Sequence, residues 1–274
     1  MLILGCNSKK EPTENKNISI IYANWAGTVA LTNVTKVVLE QKLGYNVRLT
    51  EATVNDIYPA LARGEYDFFM GAWLPKTHER YLYHYDYKIR NVGPNYHGAQ
   101  TGLAVPDYVP VQSITELNDN IDKFGGKITG IEDGAGVVNN TEEAKRVYQL
   151  DFSINTSSTQ SMLQQLDDAV KRNEWIVVTG WRPHWMFSRY NLKFLDDPQQ
   201  IYGTVESINT IARKDLRKSN PQLYKFLRKV NLTHVEMESL IDDINYLPGN
   251  PYQAAKNWAE KNNDVVSKWL PDQD

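Results

Sequence analysis

Cysteine, long apolar runs and excess positive charge are all scarce in this sequence of 274 residues. Cysteine occurs once, at Cys6, so no disulfide can form within the chain. No stretch of about 18 consecutive apolar residues is present, so the sequence predicts no membrane-spanning helix. The net charge is −3, which argues against a nucleic-acid partner because nucleic-acid-binding proteins normally carry a basic face. The remaining composition is that of an ordinary globular protein.

The single cysteine lies in an N-terminal segment with a composition of its own. The residues Ile3-Leu4-Gly5-Cys6 resemble a lipobox, and the polar, lysine-rich residues that follow are typical of a flexible tether. A signal peptide also needs an apolar core of roughly 7–15 residues, and only Met1 to Leu4 precede the motif. We therefore expect residues 1–18 to be a lipoprotein leader remnant and tether, with Cys6 as the lipidation site. On this interpretation the protein works outside the cytoplasmic membrane, anchored by its N-terminus; the alternative is a chance cysteine in a disordered tail.

Strand-like and helical patterns alternate along the chain. In the first part they cover residues 19–23, 29–43, 45–52, 54–63 and 66–73. This order predicts parallel strands joined by right-handed crossovers.

A second unit of the same type follows the first. Residues 102–109 are strand-like at its entrance, residues 208–214 return the chain to the first unit, and the chain is largely helical after residue 221. We predict an α/β fold of two lobes. Lobe 1 comprises residues 19–104 and 207–274, and lobe 2 comprises residues 105–206. A ligand cleft is expected between the lobes, where pockets are favoured.

Three of the seven tryptophans share one context, the end of a strand-like run. Trp25 follows "IIYAN", Trp73 follows "DFFMGA" and Trp181 follows "WIVVTG". If the strands are parallel, the three rings emerge at one edge and converge on the cleft. A box of indoles attracts a cation that cannot form hydrogen bonds, each desolvated contact being worth about 2 kcal/mol. The alternative for each ring alone is core packing, to which we assign the other four tryptophans.

A place for an anion follows the strand-like run that ends "KITGIEDGAG". Gly134 and Gly136 precede a predicted helix, whose N-terminus would present free N–H groups and the positive end of a dipole. The spacing half-matches a dinucleotide fingerprint but lacks the third glycine, so we expect no cofactor. His78, five residues after Trp73, is a candidate donor to the same anion; the alternatives are a helix cap or a surface histidine.

Signatures of common enzymes are missing. Neither G-x-S-x-G nor HExxH occurs, and no P-loop pattern is present. The sequence therefore favours a binding protein over a hydrolase or a dehydrogenase.

The motifs "NWAGTVALTN", "GAWLPKTH", "YHGAQTGLAVPDYV", "KITGIEDGAG" and "VVTGWRPHW" resemble, in the same order, those of the glycine betaine-binding proteins of osmoprotectant ABC importers. The likeness runs from about residue 19 to the C-terminus. It implies a periplasmic-binding-protein-like fold of type II, whose two lobes close on the ligand. It also implies that the protein is not an enzyme.

The same resemblance assigns residues to the ligand. It places a trimethylammonium group between Trp25, Trp73 and Trp181, and a carboxylate on His78 and the backbone amides of Gly136 and Val137. Tyr96 and His97, at the crossing between lobes, lie within possible reach of the ligand, but the site does not include them. Gly27 and Thr28 stand where many relatives have an acidic residue, which implies an altered rim of the cage.

The resemblance further implies partners. The ligand would be glycine betaine, or alternatively proline betaine, carnitine or choline. A membrane permease with a separate ATPase would receive it, and the N-terminal lipid would hold the protein at the membrane. No metal and no nucleic acid are expected.

Overall fold

The computed structural model describes residues 16–247 and 249–271; Cys6 and most of the predicted tether lie outside these ranges. The strands are β1 (Asn17–Tyr22), β2 (Asn46–Glu51), β3 (Phe68–Leu74), β4 (Ile89–Pro106), β5 (Lys127–Gly130), β6 (Ser153–Thr156), β7 (Val178–Arg182), β8 (Leu192–Phe194) and β9 (Glu206–Arg213). The helices are α1 (Ala26–Leu43), α2 (Val54–Ala62), α3 (Glu79–Tyr85), α4 (Gly136–Val147), α5 (Thr159–Lys171), α6 (Met186–Arg189), α7 (Leu216–Ser219), α8 (Pro221–Lys229), α9 (His234–Tyr246), α10 (Pro251–Lys261) and α11 (Asn263–Ser267). Two short 3-10 helices, Ile114–Glu116 and Asn118–Phe124, precede β5.

The strands form one path of hydrogen-bonded neighbours in the order β2-β1-β3-β9-β4-β7-β5-β6, with β8 paired to β4. Strand β1 is parallel to β2 and β3, and β5 is parallel to β6 and β7, whereas β9 and β4 run antiparallel to their neighbours. The predicted α/β class and the parallel pairing within each unit are confirmed. We call β1, β2, β3, β9 and the start of β4 the first half of the sheet, and the remainder the second half.

Strand β4 joins the two halves. Its residues 89–99 pair with β9, and its residues 100–106 pair with β7 and β8. Sequence patterns predicted only the second part of this strand. The first part carries three register shifts, between Asn91 and Ala99, and such bulges break the two-residue alternation by which a strand is recognised.

The return crossing differs from the prediction of a second strand-like crossing. Strand β9 pairs only with β3 and β4 in the first half, so residues 195–205, which precede it, carry the chain back between the halves. Both the predicted strand near residues 208–214 and the helices after residue 221 are present.

Helix α1 begins and ends at residues whose backbone angles suit those positions. Its N-cap residue, Trp25, has extended backbone angles, and its C-cap residue, Gly44, has a φ of +67°, which suits glycine. Helix α1 is buried on most sides because α9 and α10 pack over it.

No helix of the described ranges is both long and apolar enough to cross a membrane.

A partly buried ion pair links three strands of the first half. The Asp67 carboxylate, just before β3, accepts hydrogen bonds from Ser19 N (2.8 Å) and Ser19 Oγ (3.1 Å) in β1. Its other oxygen lies 2.9 Å from Arg213 Nε at the end of β9. Arg213 also pairs with the Asp215 carboxylate, whose Oδ1 lies 2.6 Å from Arg213 Nη1. Removing the Asp67 carboxylate would therefore leave Arg213 with one partner and take away the acceptor of Ser19 N.

We therefore expect Asp67→Ala to lower the free energy of unfolding by about 2 kcal/mol, because hydrogen bonds to a charged group are lost, measured by urea denaturation. The exposed pair of Arg63 and Glu65 provides the control, since solvent screens such pairs and Arg63→Ala should change stability far less. Equal losses in the two variants would contradict the structural role given to Asp67.

Candidate ligand-binding site

Trp25, Trp73 and Trp181 line one pocket of about 280 Å³, between the two halves of the sheet. Trp25 follows β1 at the start of α1, whereas Trp73 and Trp181 are the penultimate residues of β3 and β7. The structure thus brings together three rings that sequence reasoning selected from their position at strand ends. The walls of the pocket are completed by Thr77, His78, Thr101, Ile131, Ala135, Gly136 and Val137.

The three indoles are nearly buried, at 4–6% exposure. None of the ring contacts found among the described residues joins two of these indoles to each other; Trp25 instead lies 5.7 Å from the His78 ring and Trp181 lies 4.7 Å from the His184 ring. The indoles therefore flank the pocket without filling it. Trp258 and Trp269, which were assigned to packing, belong to the core at 1% and 2% exposure.

Both histidines beside the indoles are kept uncharged. Burial lowers the pKa of His78 to about 3, with a further contribution from the positive charge of Arg80. Burial alone lowers the pKa of His184 to about 3. A neutral imidazole does not repel a cation, so neither ring opposes the binding of a positive group between the indoles.

The hydrogen bonds of His78 determine which ring nitrogen carries the proton. Nδ1 lies 3.1 Å from the backbone N of Trp73, which can only donate. Nδ1 is therefore the acceptor, and in the neutral ring the proton resides on Nε2. His78 also occupies the N-cap position of α3 without capping it, so the histidine is fixed by Trp73 and presents an N–H donor at the pocket wall.

A buried carboxylate shapes the turn that carries His78. Glu206 Oε1 accepts hydrogen bonds from Lys76 N (2.7 Å) and Thr77 N (2.9 Å), and Oε2 accepts one from the Thr77 hydroxyl. Glu206 is 4% exposed, and both of its carboxylate oxygens accept hydrogen bonds from the turn. It therefore holds the turn in place and does not line the pocket.

The N-terminus of α4 opens onto the same pocket. The N-cap residue Ala135 has no side-chain oxygen, and no hydrogen bond among the described residues uses the backbone N–H groups of Gly136, Val137 or Val138. An uncapped first turn of a helix is a site for an anion, because its N–H groups and dipole both favour negative charge.

Gly136 explains how closely this helix end approaches His78. A Cβ built on Gly136 would lie 2.3 Å from Thr77 Cγ2 and 3.0 Å from His78 Cδ2. Only a glycine permits that approach, which sets the helix amides beside the histidine ring. The predicted group of His78, Gly136 and Val137 is thus assembled in one place.

Thr101 is a pocket residue that sequence reasoning missed. Its hydroxyl is buried, and within the described part of the chain it has no hydrogen-bond partner. It lies on β4 opposite Trp181 in the register of the sheet. An unpaired buried hydroxyl costs free energy unless a ligand satisfies it. A threonine in a strand carries no sequence signal for this role.

Glu132 is a second residue that was missed, although it lies within the "GIEDGAG" motif. Its Oε1 is 2.6 Å from Trp25 Nε1, so a carboxylate from the second half of the sheet contacts this indole. Gly27 and Thr28, where an acid was expected, are buried against Pro183 and Gly71. Tyr96 and His97 do not line the pocket; the Tyr96 hydroxyl lies 2.9 Å from His234 Nδ1.

The profile of the OpuAC family, described as the substrate binding domain of an ABC-type glycine betaine transport system, matches residues 16–261. The chain is similar to the glycine betaine/carnitine transport binding protein GbuC of Listeria monocytogenes, with 44% identity over 146 residues. Those residues are 52% of this chain and 48% of GbuC, so the match spans about half the length of that relative.

Solved structures resemble this chain over almost all of its length. ProX from Borrelia burgdorferi, a glycine/betaine/L-proline-binding protein, has 40% identity and a TM-score of 0.90, over 93% of this chain and 97% of that one. Lactococcal OpuAC, closed on glycine betaine, has 39% identity and a TM-score of 0.88, over 93% and 99%. A choline-binding protein in complex with choline has 25% identity and a TM-score of 0.87, over 94% and 93%.

The buried histidines make stability depend on pH. Their folded pKa of about 3 lies below the unfolded value of about 6.5, so the unfolded chain takes up protons first as the pH falls. Stability is therefore complete above about pH 6.5 and declines below it. Each histidine should remove about 2 kcal/mol of unfolding free energy between about pH 7.5 and about pH 5.

Urea denaturation of the ligand-free protein at these two pH values measures the decline. The matched variant is His184→Asn, whose amide oxygen can replace Nδ1 as acceptor for Met186 N without titrating. Its decline should be smaller than that of the parent by about 2 kcal/mol. An identical decline in the two proteins would rule out His184 as the source.

Proposed function

Because the chain belongs to the family of substrate-binding domains of ABC-type glycine betaine transport systems, we propose that its pocket binds glycine betaine. It is a binding protein of a transport system and not an enzyme. The observation that carries the choice of ligand is the pairing, in one pocket, of three indoles with an uncapped helix N-terminus.

The indoles suit the trimethylammonium end of the ligand. A quaternary ammonium group offers no hydrogen-bond donor, so solvent-excluded ring faces are its favourable surroundings. Trp25, Trp73 and Trp181 supply the rings, and the neutral His78 and His184 add no opposing charge. Each ring is assigned about 2 kcal/mol of the binding free energy.

The remaining lining of the pocket suits a carboxylate. The free N–H groups of Gly136 and Val137, the Nε2 proton of His78 and the hydroxyl of Thr101 are donors without partners among the described residues. A carboxylate accepts several such bonds, and charge-assisted bonds are the stronger ones.

Choline is the second candidate, because the choline complex is a close structural neighbour. Choline lacks the carboxylate, so it would leave the helix amides and His78 unmatched, which argues for glycine betaine over it. Proline betaine and carnitine carry both groups, and the name of GbuC includes carnitine; both remain alternatives to glycine betaine.

The proposal extends to where the protein works. Residues 19–104 and 207–274 would form one lobe and residues 105–206 the other, closing over the ligand and delivering it to a membrane permease with a separate ATPase. Lipid on Cys6 would tether residues 1–18 to the outer face of the cytoplasmic membrane.

Calorimetric titration with glycine betaine, proline betaine, carnitine and choline tests the ligand. Glycine betaine or proline betaine should bind most tightly, because both charged ends are then matched. Choline binding tenfold or more tightly than either would refute the carboxylate assignment.

Single replacements of Trp25, Trp73 and Trp181 by alanine test the cage. Each should weaken glycine betaine binding about 30-fold, the equivalent of one cation–π contact. Trp175→Ala is the control, because Trp175 packs on Phe124 away from the pocket and should leave the affinity unchanged. Unaltered affinity for glycine betaine in all three cage variants would refute the proposed tryptophan cage.

Removing single donors tests the carboxylate end. In His78→Asn the amide oxygen can still accept from Trp73 N while the donor at Nε2 is lost, and Thr101→Val removes only a hydroxyl. Each should weaken glycine betaine binding about tenfold and leave choline binding nearly unchanged. Thr35→Val, which removes another buried unpaired hydroxyl far from the pocket, is the control. Equal losses of affinity for glycine betaine and choline would contradict the assignment of these donors to the carboxylate.

A further inference from the structure

A charged hydrogen bond spans the cleft beside the pocket. Trp25 belongs to the first half of the sheet, between β1 and α1, and Glu132 belongs to the second half, between β5 and α4. Trp25 Nε1 and Glu132 Oε1 are 2.6 Å apart. The indole N–H can only donate, so the carboxylate accepts.

The carboxylate is held from its other side as well. Glu132 Oε2 accepts a hydrogen bond from the Thr159 hydroxyl at 3.0 Å, at the first residue of α5. One oxygen is thus fixed within the second half, and the other reaches across to the first. The side chain is partly buried, where a charge-assisted bond is stronger than it is in open solvent.

Glu132 is also part of the turn that leads to the helix amides. Its carbonyl accepts from Ala135 N at 3.2 Å, immediately before α4. The same turn touches the first half a second time, where the Tyr81 hydroxyl donates to Gly134 O at 2.8 Å. One short turn therefore contacts a wall of the cage and carries the groups that face the anion.

From this geometry we propose that Glu132 is a positioning residue that locks the Trp25 indole in place across the closed cleft, and so slows ligand release. The inference rests on the proposed function and deepens it. The bond joins groups from opposite halves, so it forms only when the halves meet. It should consequently act on the rate of opening rather than on the rate of encounter.

A general effect of negative charge near a cationic ligand is the competing account. Asp133, the next residue of the turn, provides a comparison. It is exposed, and among the described residues only its backbone carbonyl, not its carboxylate, takes part in a hydrogen bond, from Asn55 Nδ2 at 3.5 Å. Removing either carboxylate changes the charge of the turn equally. Of the two carboxylates, only that of Glu132 forms a hydrogen bond with the Trp25 indole.

Stopped-flow tryptophan fluorescence with glycine betaine measures the two rate constants. Glu132→Ala should raise the dissociation rate constant about tenfold, the loss of one charge-assisted bond, with the association rate constant within about twofold of the parent. Glu132→Gln should lie closer to the parent, since its amide oxygen still accepts from the indole. Asp133→Ala should leave both rate constants within about twofold of their parent values.

A double-mutant cycle identifies the route of the effect. Trp25→Phe keeps a ring and removes the N–H donor, so in that background Glu132→Ala should no longer change the dissociation rate constant beyond about twofold. A tenfold effect that persists in the Trp25→Phe background, or an equal effect of Asp133→Ala, would overturn the proposal.

The proton NMR resonance of the Trp25 indole N–H reports on its hydrogen bond to Glu132 independently of the affinity for the ligand. It is assigned by its disappearance in Trp25→Phe and recorded with and without glycine betaine. An upfield move in Glu132→Ala in either state supports the bond, and identical positions in both states overturn it. A parent protein that binds none of the four ligands would refute the proposed function, while the resonance would still decide whether Glu132 holds Trp25.

Discussion

The 18-residue strand β4 is the constraint on which the rest of this structure depends. Its first part is hydrogen-bonded to β9 and its second part to β7 and β8, so both halves of the sheet are built on a single strand. Loops that follow β1 and β3 in one half therefore meet loops that follow β5 and β7 in the other. The pocket forms where they meet, and its wall includes Thr101 of β4 itself.

The pocket combines groups that have few other partners. Its histidine is neutral, its helix lacks a capping side chain, and its threonine hydroxyl is unpaired within the described residues. Groups of this kind cost stability when they are empty and are satisfied by a ligand of matching charge. The charged residues nearby, Glu206 and Glu132, are used to hold the turn at Thr77 and the ring of Trp25. That division between groups that face the ligand and groups that hold them is expected of a preorganised binding site.

Two hydrogen bonds cross between the halves of the sheet beside the pocket: Trp25 donates to Glu132, and Tyr81 donates to Gly134 O. They link the turn before α4 to the first half of the sheet, together with bonds from Asn55 Nδ2 to Asp133 O (3.5 Å) and from Arg80 Nη2 to Gly134 O (3.4 Å). The cation and anion ends of the pocket are then not independent, because movement of this turn would shift both the indole and the helix amides. On the proposed function, binding and lobe movement would be coupled through the same residues, which is the requirement for a ligand to shift a conformational equilibrium.

The sequence by itself determined the α/β class, the longer helices, most strands and the position of three tryptophans at strand ends, because local periodicity and position at strand ends are properties of neighbouring residues. It also indicated His78 and the glycine-rich turn. It did not reveal the short helices α3 and α6. It could not reveal the first part of β4, since bulges erase the alternation. Nor could it assign Glu132 and Thr101, which resemble any polar residue of a turn or strand. Their roles arise only when β4 brings the halves together, so the tertiary structure alone decided which acid meets Trp25 and which hydroxyl lacks a partner.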